Sequence, residues 1–118
     1  WATVLVRKTF GVAGAAHFSE NCYVLAWPSA ESGALPVEGG VAVAFGKEIA
    51  AAENPEKRRL ELEVQFRAAQ TPFPRGEQLA VHELIDPKET RPFLCEWMET
   101  VQPLLPALLG ETRFSFKP

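Results

Sequence analysis

Prolines and glycines are the feature that most limits how this chain can fold, because there are ten prolines and eight glycines in 118 residues. Proline removes a backbone donor and ends or bends regular elements, and glycine weakens helices and strands. The longest apolar run, residues 40–45, is far shorter than the roughly 20 residues that span a bilayer. The sequence therefore predicts short strands and helices in one small globular unit, with no membrane partner.

The charged residues and cysteines exclude several functions. Twelve Lys and Arg stand against fifteen Asp and Glu, a net charge of −3, so a nucleic-acid partner is not expected. Cys22 and Cys95 lie far apart and are accompanied by only two histidines, so no metal site is expected. We interpret both cysteines as buried apolar residues of a reduced, cytoplasmic protein, because cysteine is among the residues most often buried. No secretory signal is visible at the start of the sequence.

Two strands are predicted around a run of small residues. Residues 3–6 are mostly β-branched and residues 22–27 are mostly apolar, and both patterns are typical of strands. Between them, residues 11–16 are only Gly, Val and Ala. Such a run either lets a helix pack closely on a sheet or brings backbone close to a ligand. Neither strand is followed by a dinucleotide-binding or P-loop glycine pattern.

Two helices are predicted in the middle of the chain. Residues 38–52 have a helix-forming composition, and Asn54 with Pro55 is a typical start for a second helix. The stretch that follows fits two patterns, a strand that alternates from residue 60 to residue 66, or a helix with Leu62, Phe66 and Ala69 on one stripe. Strong helix formers dominate there, which favours the helix. Residues 71–76 are expected to end it, and residues 79–85 to form a short element.

The last third is predicted to be helical. Asp86, Pro87 and Glu89 have the spacing of a helix cap, so a helix is expected from Pro87 onward, bent or shortened near Pro103 and Pro106. Residues 113–116 are expected to be extended and exposed. The helix is expected to bury one apolar stripe, formed by Leu94, Met98, Val101, Leu105 and Leu108.

Five sequence blocks occur in an order that resembles a known family. They are Arg-Lys-Thr-Phe-Gly-Val-Ala at 7–13, Ala-Trp-Pro-Ser-Ala-Glu at 26–31, Val-Glu-Gly-Gly-Val with Lys-Glu-Ile at 37–41 and 47–49, Thr-Pro-Phe at 71–73, and Ile-Asp-Pro-Lys-Glu-Thr-Arg at 85–91. Together they resemble the C-terminal half of the carboxyltransferase subunit of biotin-dependent acyl-CoA carboxylases, in the crotonase superfamily.

The resemblance implies an α/β (α+β) fold, a portion of a crotonase-like superhelix of ββα units with flanking helices. The chain is shorter than a complete domain of that family, so residues 1–118 are interpreted as one partial carboxyltransferase C-terminal domain. The implied function is carboxyl transfer between N1-carboxybiotin and an acyl-CoA. The implied partners are an N-terminal-half carboxyltransferase chain that holds acyl-CoA, and biotin carboxylase and biotin carrier subunits that supply biotin, within an oligomer.

The resemblance also implies a site made of backbone N–H groups rather than a nucleophile or a metal. The family's Gly-Gly-Ala turn, which stabilises the biotin oxyanion, falls on Gly11, Val12 and Ala13. Gly14 is expected to contact biotin, and it replaces an aromatic residue of the family. Since Val12 also replaces a Gly, a turn shifted by one residue would make Ala13 and Gly14 the donors.

Two other functions remain open at this point. The first is a non-catalytic crotonase-like subunit that serves the assembly of a larger complex, which Val12 and the missing N-terminal half favour. The second is a fragment of a crotonase-type hydratase or isomerase. That function has less support, because no suitably spaced pair of catalytic glutamates is evident.

Overall fold

The computed structural model describes residues 1–17 and 22–110 of the chain. It divides the chain into two compact units, the first from Trp1 to Pro87 and the second beginning at Lys88. Each unit is described by itself below. The assignment of residues 1–118 to one partial domain stays a prediction.

The first unit has short strands in its first half and helices in its second. Its strands are β1 (Ala2–Leu5), β2 (Lys8–Phe10), β3 (Tyr23–Ala26), β4 (Glu31–Gly33) and β5 (Glu83–Leu84), and its helices are α1 (Gly11–Ala15), α2 (Val37–Ala51), α3 (Pro55–Gln70) and α4 (Pro72–Glu77). The two predicted strands and the two predicted helices are confirmed. Most of their ends differ from the predicted ends by one residue.

All strand pairs of the first unit are parallel. One sheet has the order β1-β3-β5, with Ala2 opposite Tyr23, and the other pairs β2 with β4, with Thr9 opposite Ser32. The order β1-β2-α1 is then repeated as β3-β4-α2, so each strand of one ββα unit pairs with its equivalent in the next. This is the stacking that the family resemblance implies.

Buried apolar side chains of the strands and their connections form the first core cluster. Leu25 and Ala26 of β3 are fully buried, as expected for the middle strand of a sheet with parallel neighbours on both sides. Cys22 is buried, as predicted. The members of this cluster are Leu5, Cys22, Val24, Ala26, Ala30 and Val81.

Helices α2 and α3 pack against each other in a second cluster. Val41 and Leu62 are buried there, and the rings of Phe45 and Phe66 meet edge to face at 6.3 Å between centroids. The helix that places Leu62, Phe66 and Ala69 on one stripe is thus confirmed, and along this stripe Leu62 is buried, Phe66 is partly buried and Ala69 is exposed. The alternating strand is excluded, because residues 55–70 form one continuous helix.

The start of α3 follows directly from its sequence. The side-chain oxygen of Asn54 accepts a hydrogen bond from the Lys57 N–H at 3.0 Å, and Pro55 occupies the first turn, where a missing N–H costs nothing. Both expectations for this helix start are confirmed. Beyond the end of α3, residues 72–77 form helix α4 rather than only a terminator, with Pro72 buried in its first turn.

Leu79, directly after α4, has a left-handed backbone conformation with φ of 58°. Its side chain is 82% exposed, so packing does not compensate the steric strain of this conformation. Leu79→Gly should therefore stabilise the fold by about 1 kcal/mol, seen as a higher midpoint of thermal unfolding. Leu79→Ala is the matched control and should give no such gain, because alanine keeps the Cβ atom. Equal effects of the two variants would contradict the strain.

The second unit is helical in its described part, residues 88–110. Helix α5 (Thr90–Val101) follows a 3₁₀ turn at Pro87–Glu89, and a second 3₁₀ turn (Gln102–Leu104) leads into α6 (Leu105–Leu108). The shortening near the two prolines is confirmed, whereas the predicted start at Pro87 is three residues early. The predicted residues 113–116 lie outside the described part.

The predicted burial of the second unit's apolar stripe is wrong. Met98, Leu105 and Leu108 are exposed, and Leu94 and Val101 are only partly covered. Cys95 is also exposed, which corrects its interpretation as a buried residue. Helix α5 has 12 residues, about three turns, before the 3₁₀ turn that contains Pro103. Among the described residues, no helix is long and apolar enough to cross a membrane.

Candidate functional site

A cleft of about 760 Å³ opens beside the first ββα unit. Most of its lining residues are glycines, alanines and other residues with small side chains. Its lining residues come from β2, α1, β4 and the α4 region, all within the first unit. They are Thr9, Gly11, Val12, Gly14, Ala15, Ser32, Gly33, Ala34, Arg75 and Ala80.

A glycine turn joins β2 to α1 at the edge of this cleft. Phe10 is still extended, with φ of −126° and ψ of 153°, and its side chain makes no capping hydrogen bond. Gly11 then has φ of +66°, a conformation that residues with a Cβ atom rarely adopt. The chain can therefore reverse from strand into helix at this position because residue 11 is glycine.

The start of α1 has backbone donors without an acceptor inside the helix. Because the helix begins at Gly11, the N–H groups of Gly11, Val12 and Ala13 precede the first intrahelical hydrogen bond. Val12 is 88% exposed and has no positive φ, so its Cβ atom does not distort the turn. Valine at this position is thus compatible with donation from its own N–H. The geometry agrees with the unshifted register of the turn, and the catalytic role of these residues stays a prediction.

Gly14 is buried in α1, where the helix packs against β2. A Cβ atom at Gly14 would lie 3.0 Å from the Thr9 Cγ2 and 3.2 Å from the Thr9 carbonyl carbon. This close contact matches the structural alternative for the small-residue run, a helix that packs tightly on a strand. Gly14 also lines the cleft, so the expected contact with biotin stays a prediction.

Two hydroxyl groups line the floor of the cleft. Thr9 and Ser32 are register partners in the parallel pair β2–β4, so their side chains stand next to each other on one face. Ser32 is 3% exposed. The next residue, Gly33, lies close to the side chain of Gln70. The cleft therefore combines backbone donors with two short side chains that can both donate and accept hydrogen bonds.

Two polar atoms near the cleft are buried without a hydrogen-bond partner among the described residues. They are the Nε of Arg75 and the Oε1 of Gln70. The Nε2 of Gln70 donates to the Leu35 carbonyl at 2.7 Å, which holds the end of α3 against the loop after β4. Gln70 is thus a structural tie with one spare acceptor, whereas Arg75 lines the cleft itself.

The charged residues near β2 have structural partners. Lys8 Nζ lies 3.3 Å from the Glu38 carboxylate. The pKa of Glu38 lies below its ordinary value, first because its own backbone N–H donates to the carboxylate, and second because of Lys8. Such an exposed pair contributes little stability. His17 presents its carbonyl to the Thr3 hydroxyl at 2.9 Å, and its side chain does not line the cleft.

Sequence reasoning missed Thr9, Ser32 and Arg75 as candidate site residues. The proximity of Thr9 and Ser32 depends on strand register across 23 residues, which no local pattern encodes. Arg75 lies in a stretch whose two prolines and glycine indicate a helix terminator rather than a site. An arginine inside an otherwise small and apolar stretch was the signal available.

Comparison with known proteins agrees with the geometry. The family model for the carboxyl transferase domain matches residues 2–101 of the chain. The chain is 38% identical over 93 residues to the methylmalonyl-CoA carboxyltransferase 12S subunit of Propionibacterium freudenreichii subsp. shermanii. It is 31% identical over 94 residues to the propionyl-CoA carboxylase carboxyltransferase subunit of Haloferax mediterranei. Each alignment covers 75% of the chain and 18% of the relative.

A solved structure of transcarboxylase 12S, with methylmalonyl-coenzyme A and methylmalonic acid bound, superposes on 99% of the chain with a TM-score of 0.76 and 31% identity. That match covers 22% of the transcarboxylase chain, so this chain spans about a fifth of its relatives. The crotonase-like fold expected from the sequence is confirmed. On the match of residues 2–101, the chain belongs to the carboxyl transferase domain family.

Proposed function

We propose that the cleft beside the Gly11 turn is the biotin-side site of an acyl-CoA carboxyltransferase. The observation that carries the proposal is the turn itself, where a positive-φ glycine follows β2 beside the cleft and the first N–H groups of α1 have no acceptor inside the helix. The family match and the names of the relatives support the acyl-CoA substrate class. Because the chain spans about a fifth of those relatives, another chain or segment supplies the acyl-CoA half.

The proposed reaction moves one carboxyl group. Carboxybiotin supplies the carboxyl group at its N1 atom. The N1–C bond breaks, the α-carbon of the thioester loses a proton and forms the new C–C bond, and N1 takes up a proton. Negative charge develops on the ureido oxygen of the biotin ring while N1 is the leaving group, and preorganised N–H donors lower the barrier by stabilising that charge.

The residues around the cleft fit a small cyclic urea. The volume of about 760 Å³ is within the range of pockets that hold drug-sized ligands, roughly 300–1,000 Å³. Gly11 sets the direction of the turn, and the N–H groups of Val12 and Ala13 are the donors for the ureido oxygen. Thr9 and Ser32 are placed to hydrogen-bond the remaining polar edge of a ring in the cleft.

The proposal includes partner chains and an oligomer. Transcarboxylase 12S assembles as a hexamer and binds substrate within a multienzyme core. By analogy, a biotin carrier subunit, a biotin carboxylase and an N-terminal-half carboxyltransferase chain would assemble with this chain. Both cysteines are free thiols, which supports the proposed cytoplasmic location.

Native mass spectrometry of the assembly from its source tests the proposal. We expect this chain to be found with a biotinylated protein and with an acyl-CoA-binding chain or segment, and the assembly to transfer a carboxyl group between carboxybiotin and a short acyl-CoA. An assembly that forms but has no transfer activity would support the assembly-only subunit instead. A 13.0 kDa species alone, without biotinylated protein, would contradict the proposed function.

A further inference from the structure

We propose that Arg75 recognises the carboxylate of the ligand in this cleft, so that the site selects the carboxylated form of biotin over the neutral ring. The proposal rests on the proposed function, because it concerns the same ligand in the same cleft. The backbone turn at Gly11 would contact the ureido oxygen, and Arg75 would contact the carboxylate on N1.

The first argument is the unusual state of the Arg75 side chain. Its Nε is buried and has no hydrogen-bond partner among the described residues, and no described carboxylate lies within ion-pair distance. By contrast, Arg58 and Arg59 each bond to glutamates, Arg58 to Glu48 and Arg59 to Glu63. The Arg75 guanidinium therefore has no counter-ion among the described residues, and an anionic ligand would supply one.

The second argument is the charge of the cleft. Arg75 is its single ionisable lining residue within residues 1–17 and 22–110, and the other lining residues are small, apolar or hydroxyl-bearing. A cation in a cleft without a protein counter-ion favours an anionic ligand. A guanidinium offers parallel N–H donors that match the two oxygens of a carboxylate better than any other side chain does.

The third argument is that the backbone around Arg75 is fixed before a ligand arrives. The Arg75 carbonyl accepts the Ala80 N–H at 2.9 Å, and the Pro74 carbonyl accepts the Gln78 N–H at 3.2 Å. Pro72 is fully buried at the start of the same helix. The backbone that carries Arg75 is therefore held, and binding of an anion has only the Arg75 side chain to order.

The test compares two probes on the intact carboxyltransferase that carries this chain. Biotinamide presents the neutral ureido ring, and its N1-carboxymethyl derivative adds a non-labile carboxylate. We expect Arg75→Gln to weaken binding of the carboxylated probe by about 10- to 100-fold, measured by calorimetry. Binding of biotinamide should change less than about twofold, because its contacts are to the backbone turn. Arg67→Gln, on exposed α3, is the control and should change neither affinity.

Each other outcome decides against one of the proposals. Equal weakening of both probes by Arg75→Gln, or no weakening of either, would overturn the role of Arg75 and leave the biotin site standing. Failure of the wild-type protein to bind either probe would overturn the proposed function and this inference with it. Arg75→Lys keeps the positive charge, so this variant should prefer the carboxylated probe over biotinamide more strongly than Arg75→Gln does. A folded Arg75→Lys variant without that stronger preference would also overturn the inference.

Discussion

Gly11→Ala should lower carboxyl transfer by the intact assembly by about 100-fold or more, without preventing its folding. The backbone of residue 11 has φ of +66°, so a Cβ atom either strains the turn by about 1–2 kcal/mol or turns the next peptide groups away. Loss of one oxyanion donor in other enzymes costs about 10²–10³ in rate. A Cβ atom would meet only the Ala34 carbonyl at 3.6 Å, so backbone conformation rather than crowding causes the effect.

Gly46→Ala is the matched control for this prediction. Gly46 lies in α2 with a negative φ, and a Cβ atom there would have no neighbouring atom within 4 Å, so alanine should leave transfer unchanged. Rates are measured with carboxybiotin as donor, beside thermal unfolding of each variant. If Gly11→Ala kept full transfer activity with an unchanged unfolding midpoint, the turn would have no part in catalysis.

Gly40→Ala should destabilise the first unit by about 1–2 kcal/mol. A Cβ atom at Gly40 would lie 2.8 Å from the Phe66 Cε1 and 3.1 Å from the Leu35 Cβ, both closer than atoms pack without strain. Phe66 has little freedom to move away, because its ring meets Phe45 edge to face. Absence of a side chain at position 40 is therefore what lets α2 and α3 approach each other.

The neighbouring Gly39 is the internal comparison, because its Cβ position is open. Gly39→Ala should stabilise the same helix by roughly 0.5–1 kcal/mol through helix propensity alone. Denaturant unfolding of the two variants measures the change in the free energy of unfolding, which should be opposite in sign at these adjacent residues. A Gly40→Ala variant as stable as Gly39→Ala would show that the helices separate without penalty, contrary to the packing described.

The parts of the fold that local chemistry decides were predictable. Asn54 and Pro55 mark the start of α3 because one accepts a free N–H and the other needs no acceptor, and both signals lie within a few residues. The exposure of Ala69 beside buried Leu62 was not predictable, since the part of a helix stripe that is buried depends on the direction of the partner helix. The exposed Cys95 shows the same limit, because average burial of a residue type says nothing about a particular helix face.

The candidate site was predictable only in part. Gly11, Val12 and Ala13 form one continuous sequence block, so a resemblance could single them out, and the structure places their turn at one edge of a cleft. Arg75 reaches that cleft from a helix more than 60 residues away along the chain. The ββα repeat is also invisible in the sequence, since its two copies share strand positions and backbone pairing rather than residue types.

The parallel sheets have a consequence for handling this protein. In the described residues, β1 and β5 form the two outer edges of the larger sheet, and β2 and β4 each have one outer edge. Such edges carry backbone groups that face a further strand. If the β1 edge of one copy pairs with the β5 edge of another, each copy still has one edge free. Such a contact can therefore add copies without limit instead of forming a closed dimer. A segment excised at these edges is therefore prone to open-ended association into fibres unless the rest of its superhelix covers them.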